Sequence, residues 1–160
     1  MNDRLMRLMS KSKIGKLSEL AGAASTEAVA VAAEVLADDI ANTRWRAQIG
    51  PCLTQAATAS LLGITPQGVV KRSAMLELLR VTNGDGRPVY PLFQFVGRRT
   101  LDGLGPVLRT LVRVDDDLTM ASWLTTKKSL LDGSTPVEAL RAGNAAGVLA
   151  AAEDYLARSA

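Results

Sequence analysis

Histidine is absent from these 160 residues, and cysteine occurs once, at Cys52. Without imidazole there is no Ser-His or Cys-His pair, and a lone thiol cannot complete a zinc set. Carboxylates remain, but in no pairing that suggests acid–base work. The chain is therefore expected to be no enzyme and to need no cofactor or metal. The single thiol also excludes an internal disulfide and fits a reducing cytosol, so a cytoplasmic location is expected. Aromatic residues are only 4% of the sequence. Alanine and leucine dominate instead, which predicts a mainly α fold. No apolar run reaches the length of a membrane span, and no membrane contact is expected. Arg4, Arg7, Lys11, Lys13 and Lys16 make the start basic, but the apolar core of a signal peptide is missing there.

The informative stretch is Leu53 to Tyr90. Thr54 can cap a helix carrying Ala56, Ala59, Leu61 and Leu62, and Gly63 breaks it, since glycine turns left-handed without a Cβ penalty. Thr65 then caps a second helix with Pro66 at its first position, where the missing N–H costs nothing. Ala59, Gly63 and Val69 supply the small crossing residue, the tight turn and the buried anchor of a helix-turn-helix. Thr58 and Arg72 stand where such units usually place apolar residues. Leu78–Thr82 and Arg87–Tyr90 flank Asn83-Gly84-Asp85-Gly86, a hairpin signal, so the expected unit is winged. Pro88 lacks a backbone donor, so its strand is expected to be an edge at that position.

Charge is divided along the chain. Residues 1–43 hold five basic and six acidic side chains, net −1. Residues 44–99 hold eight basic against two acidic, net +6, and residues 100–160 hold six against eight, net −2. Positive charge thus coincides with the winged unit, as binding to a phosphate backbone requires. The expected DNA-binding residues are Thr65, Gln67, Val70, Lys71, Arg72 and Arg87. Gln67, Val70, Lys71 and Ala74 should lie opposite the buried Val69. Gln67 suits adenine, Val70 a thymine methyl, and Lys71 a phosphate or guanine.

Around this unit the pattern is helical. Val29, Ala33, Leu36 and Ile40 form an apolar stripe that could seam a dimer or pack on its own domain. Tyr90 to Phe95 leaves the hairpin with three of the six aromatics, and Gln94 between two phenylalanines is expected to satisfy backbone groups. Pro106 should start a helix with Val107, Leu108, Leu111 and Val112 on one face. Asp115-Asp116-Asp117 should cap the next, which carries Met120, Ala121, Trp123 and Leu124. Lys127-Lys128 marks a loop, Thr135-Pro136-Val137-Glu138 is a capping box, and a last helix runs from about Ala145 to Arg158.

Trp123-Leu124-Thr125-Thr126, the run Leu131 to Gly143 (LDGSTPVEALRAG) and Val148 in a terminal helix resemble the toxin-binding domain of the MbcA/ParS/Xre antitoxins. The resemblance covers roughly residues 49–160. It implies a partner, a RES-domain toxin that consumes NAD, whose active site the antitoxin's C-terminal section covers. It also implies that the complex, a hetero-oligomer with toxin, binds its own operator DNA; a homodimer is expected from the apolar stripe and the two-fold logic of helix-turn-helix operators. The implied toxin-binding residues are Trp123, Lys127, Lys128, Tyr155, Leu156, Arg158 and Ala160. The expected organisation is a helical extension (1–48), a winged helix-turn-helix DNA-binding domain (49–96) and a helical toxin-binding domain (97–160). Two other classes stay open: a stand-alone winged regulator whose C-terminal half serves dimerisation, and an adaptor that uses no DNA.

Overall fold

The computed structural model describes residues 49–159. The Val29/Ala33/Leu36/Ile40 stripe, the whole 1–48 extension and Ala160 lie outside them. The described chain is mainly helical with a small antiparallel sheet. It opens with a strand that hydropathy periodicity does not reveal, β1 (Cys52–Thr54). Thr54 ends that strand and begins α1 (Gln55–Leu62), its side chain accepting from the Ala57 N–H at 3.1 Å. Gly63, with φ 66°, closes α1. Thr65 caps α2 (Pro66–Ala74) by accepting from the Gly68 N–H at 3.0 Å. Thr58 occupies a fully buried position in α1. Its hydroxyl is satisfied by donating to the Thr54 carbonyl at 2.8 Å, so a polar residue fits an apolar site.

After α2 the chain turns through Leu76, which has φ 57°. That left-handed conformation costs a non-glycine residue about 1 kcal/mol. It lets the Glu77 N–H reach the Arg72 carbonyl at 2.9 Å, while the Leu76 side chain packs against the larger core. A hairpin follows, β2 (Val81–Thr82) and β3 (Pro88–Pro91). Its first strand is shorter than the expected Leu78–Thr82, for a reason that lies in Gln94. The Gln94 side-chain amide is fully buried, accepts from the Leu79 N–H at 2.8 Å and donates to the Leu79 carbonyl at 2.9 Å. It thereby takes the place of a strand partner at Leu79. It also donates to the Pro91 carbonyl at 3.1 Å, which fulfils the backbone-satisfying role expected of it.

β3 is central in the order β1-β3-β2, yet at Pro88 it is an edge, as expected. Pro88 is tolerated because β1 reaches only Val89, so Pro88 has a partner on the β2 side alone. A short 3-10 turn, Leu92–Gln94, leads to a second hairpin, β4 (Phe95–Val96) and β5 (Arg99–Thr100), joined by Gly97-Arg98.

The sheet has a core on each face. Leu53 and Tyr90, paired across β1 and β3, point to a smaller core with Ala59, Leu61, Val69, Leu78, Leu92 and Phe95. Cys52, Val81 and Val89 point the other way, into a larger core built with the C-terminal helices. Leu78 and Leu79 are split between the two in the same way. This is the period-2 alternation of extended chain.

The larger core is completed by α3 (Leu104–Leu111), α4 (Asp117–Thr125), α5 (Pro136–Arg141) and α6 (Ala145–Ser159). The start of α3 is two residues earlier than Pro106, because Gly103 at φ 86° serves as its N-cap and brings the buried Leu104 into the helix. Its exposed side also differs from expectation: Val112 lies past the end and is 43% exposed. A Cβ at Gly103 would meet the Ala145 Cβ at 2.5 Å, so α3 and α6 start in close contact. Asp116 caps α4, accepting from the Thr119 N–H at 2.8 Å, and its bonds to Thr119 hold its carboxyl below the usual range. The capping box of Thr135 and Glu138 on α5 is present with both of its hydrogen bonds. No helix among the described residues is long and apolar enough to cross a membrane.

Replacing Gln94 by Leu keeps the volume but strands the Leu79 N–H and C=O in the interior. Each unsatisfied group costs roughly 1–3 kcal/mol, so the variant should lose about 2–6 kcal/mol of unfolding free energy. Urea titration followed by circular dichroism measures it; a loss under about 1 kcal/mol would show that Leu79 finds other partners.

Candidate functional site

Two surfaces gather the residues singled out by the sequence. The first lies on α2 and the hairpin. Thr65, Gln67, Val70 and Lys71 are exposed and Arg72 is half-buried. Gln55 fixes the start of α2, its Nε2 donating to the Pro66 carbonyl at 3.2 Å. In the hairpin tip the nearly buried Asn83 accepts through Oδ1 from the Asp85 and Arg87 N–H groups at 3.0 and 2.9 Å. Arg87 therefore leaves a fixed turn with its side chain exposed.

Arg98 belongs to the same surface, although its position in the sequence gives its charge and not its place. Its Nη2 donates to the Ser60 carbonyl at 3.5 Å, and a Cβ on Gly63 would lie 3.9 Å from that atom. The guanidinium thus sits over the turn joining α1 and α2. The signal available in the sequence is Gly97-Arg98 as a two-residue hairpin loop, with Gly97 at φ 58°.

The helix does not present one uniform face. Val70, Ser73 and Ala74 line a groove of about 290 Å³ whose opposite wall carries Asp115, Asp116 and Asp117. Arg80 lines the same groove, so three carboxylates there face one guanidinium. Thr65, Gln67 and Lys71 are exposed and do not line that groove.

The second surface is a groove of about 410 Å³ between α4, the loop after it and α6. It brings together Trp123, Lys127, Lys128, Tyr155 and Arg158. Leu156 is half-buried on α6 and is not among the lining residues. The loop is closed by its own backbone. The Lys128 carbonyl accepts from the Leu131 and Gly133 N–H groups at 3.1 and 3.0 Å, and its own N–H donates to the Ser134 carbonyl at 3.0 Å. Asp132 at φ 54° and Gly133 at φ 80° make that closure. The Lys128 ammonium consequently sits 4.9 Å from the centre of the Trp123 ring, a cation–π distance. Burial lowers its pKa, and the negative charge of Asp115 opposes that shift.

Trp123 in turn touches Tyr155, ring centres 6.1 Å apart and tilted by 44°. The Tyr155 hydroxyl donates to Asp115 Oδ1 at 3.0 Å. Burial is the main cause raising the Tyr155 pKa, and the Asp115 carboxylate adds to it as acceptor and as charge. The acidic triplet is thus divided among tasks: Asp115 holds Tyr155, Asp116 caps α4, and Asp117 Oδ2 accepts from the Thr82 N–H of the hairpin at 3.1 Å. Among the described residues no cluster of side chains could hold a metal ion.

No protein-family model and no curated protein matches the chain. Among solved structures it is similar to the NMR structure of Rv2175c, at 26% identity and a TM-score of 0.57. That match covers 66% of this chain and 81% of the other.

The Tyr155–Asp115 contact has a pH signature. A raised phenol pKa means that the folded state keeps the proton after the unfolded chain has lost it. This contribution to stability is whole below pH 10.0, the ordinary tyrosine value, and is lost as pH rises through the higher folded value. Asp115→Asn removes the charge and should bring the Tyr155 transition, followed by its ring carbon resonances, back toward the ordinary value. An unchanged transition would leave burial as its sole cause.

Proposed function

We propose that this chain is a DNA-binding regulator of the winged helix-turn-helix kind. In this reading α1 and α2 form the helix-turn-helix and the β2–β3 hairpin is the wing. The observation that carries the reading is the placement of positive charge around a well-capped second helix. Lys71 stands on its open edge, Arg87 leaves the hairpin, and Arg98 covers the turn between the helices. Thr65 and Gln67 at the start of α2 are the residues placed to meet base edges and nearby phosphates. Val70 has a smaller part than its sequence position suggests, because it borders the acidic groove.

A second reading extends the first and is favoured by the convergence of Trp123, Lys127, Lys128, Tyr155 and Arg158 in one groove. The C-terminal half then serves a protein partner. The resemblance of the LDGSTPVEALRAG run makes a RES-domain, NAD-consuming toxin the partner to test. The chain would then be an antitoxin that covers the toxin's active site and regulates its own operon. Toxicity of a RES-type neighbour expressed alone, and its relief by this chain, tests that reading; a harmless neighbour overturns it.

The DNA reading predicts that the double variant Lys71→Glu, Arg87→Glu binds duplex DNA from its own upstream region more weakly than the wild type. The slope of log affinity against log salt should flatten by about one unit for each phosphate that is no longer neutralised. Arg98→Ala should flatten it by about one more. Unchanged binding across a salt series from about 50 to about 200 mM would remove DNA binding from this surface.

A further inference from the structure

The C-terminal half is acidic, yet three of its six basic residues, Lys127, Lys128 and Arg158, line one groove. Among the described residues no carboxylate lines it. Arg158 is ion-paired with Asp154 one turn back on α6, so the two lysines carry the larger part of the groove's charge. Its lip carries Leu130, which is 59% exposed, more than any other large hydrophobic side chain among the described residues. Cations and an exposed apolar side chain are thus held together on a loop whose backbone is closed by its own hydrogen bonds. We propose that this groove binds an acidic segment of a protein partner, with one apolar side chain of that segment seated on Leu130 beside Tyr155. The proposal rests on the reading that the C-terminal half takes a protein partner, and adds the chemistry of the segment it takes.

Charge complementarity argues for the acidic character of the occupant, and preorganisation argues that the site is built. Two lysines on a mobile loop lose rotamer freedom when they bind, whereas Lys128 is already ordered over Trp123. A single-stranded nucleic acid would also bring negative charge. Its bases need an open aromatic face on which to stack. Trp123 is only 6% exposed and Lys128 covers it, so that platform is missing. An acidic peptide needs only the cations and the apolar lip.

The test uses the isotope-labelled full chain and four defined probes of equal length. These are a synthetic peptide with glutamates around a central leucine, the same peptide with lysines for the glutamates, the same with alanine for the leucine, and an oligothymidylate. The acidic leucine peptide should shift the Trp123 indole and the Ser129–Leu131 amide resonances. Its binding should weaken at least about tenfold in Lys127→Glu, Lys128→Glu, with circular dichroism confirming the fold, and should weaken as salt is raised. The lysine peptide should not bind, and the alanine peptide should bind more weakly. Equal binding of the acidic and lysine peptides would overturn the proposal, as would displacement by oligothymidylate or an unaffected double variant. Co-purification with a RES-type toxin separates this from the reading beneath it. A toxin that binds wild type and double variant alike keeps the partner and sinks the groove, whereas peptide binding without any toxin binding keeps the groove and sinks that partner.

Discussion

Leu79 is held by a side chain where a neighbouring strand would ordinarily hold it. The Gln94 amide meets both of its backbone groups, and from that one junction the two halves of the described chain are set. Leu78 turns into the smaller core and Leu79 into the larger, so the sheet that begins at Val81 enters with its faces already assigned. A one-residue slip would exchange those faces and place Val81 and Val89 against the helix pair. The buried amide opposes it, because both backbone groups of Leu79 are bonded to the one side chain.

The acidic triplet occupies the seam between the two candidate surfaces. Asp117 touches the hairpin through the Thr82 N–H, and Asp115 touches the C-terminal groove through Tyr155. Near neighbours in sequence therefore bear on different surfaces of the molecule. Their carboxylates also line the groove beside Val70 on α2, together with Arg80. The negative charge of Asp115 favours the ammonium form of Lys128 against the effect of burial.

Local chemistry is legible in the sequence wherever one residue acts on its near neighbours. Thr54, Thr65, Asp116 and the Thr135/Glu138 pair cap the helices that their spacing predicts, and Gly63 takes the left-handed turn. Gln94 is readable because a polar amide between two phenylalanines has few other uses. Pairings between distant segments are not legible. β1 is three residues long and finds its partner at Val89–Pro91, so no alternation announces it. The two-residue strands β4 and β5 are equally silent, and the position of Arg98 depends on them. Val112 falls inward by period, but the helix ends before it and the period with it. The groove is partly legible: a resemblance names its residues, and only folding shows that Trp123 and Lys127 meet Tyr155 and Arg158 from the far helix.

The sheet is only three strands wide, and each of its faces is the floor of a different core. Melting either core would uncover one side of strands that are two to four residues long, and a sheet this small depends on its packed faces. The helix pair and the C-terminal helices are consequently bound into one cooperative transition, although their charges and their proposed partners differ. In thermodynamic terms, any ligand that holds one surface in its native form raises the unfolding free energy of the other by the same binding term. A partner seated on α6 and a duplex seated on α2 would each protect residues 49–159 against that shared unfolding, with no shape change passing between them.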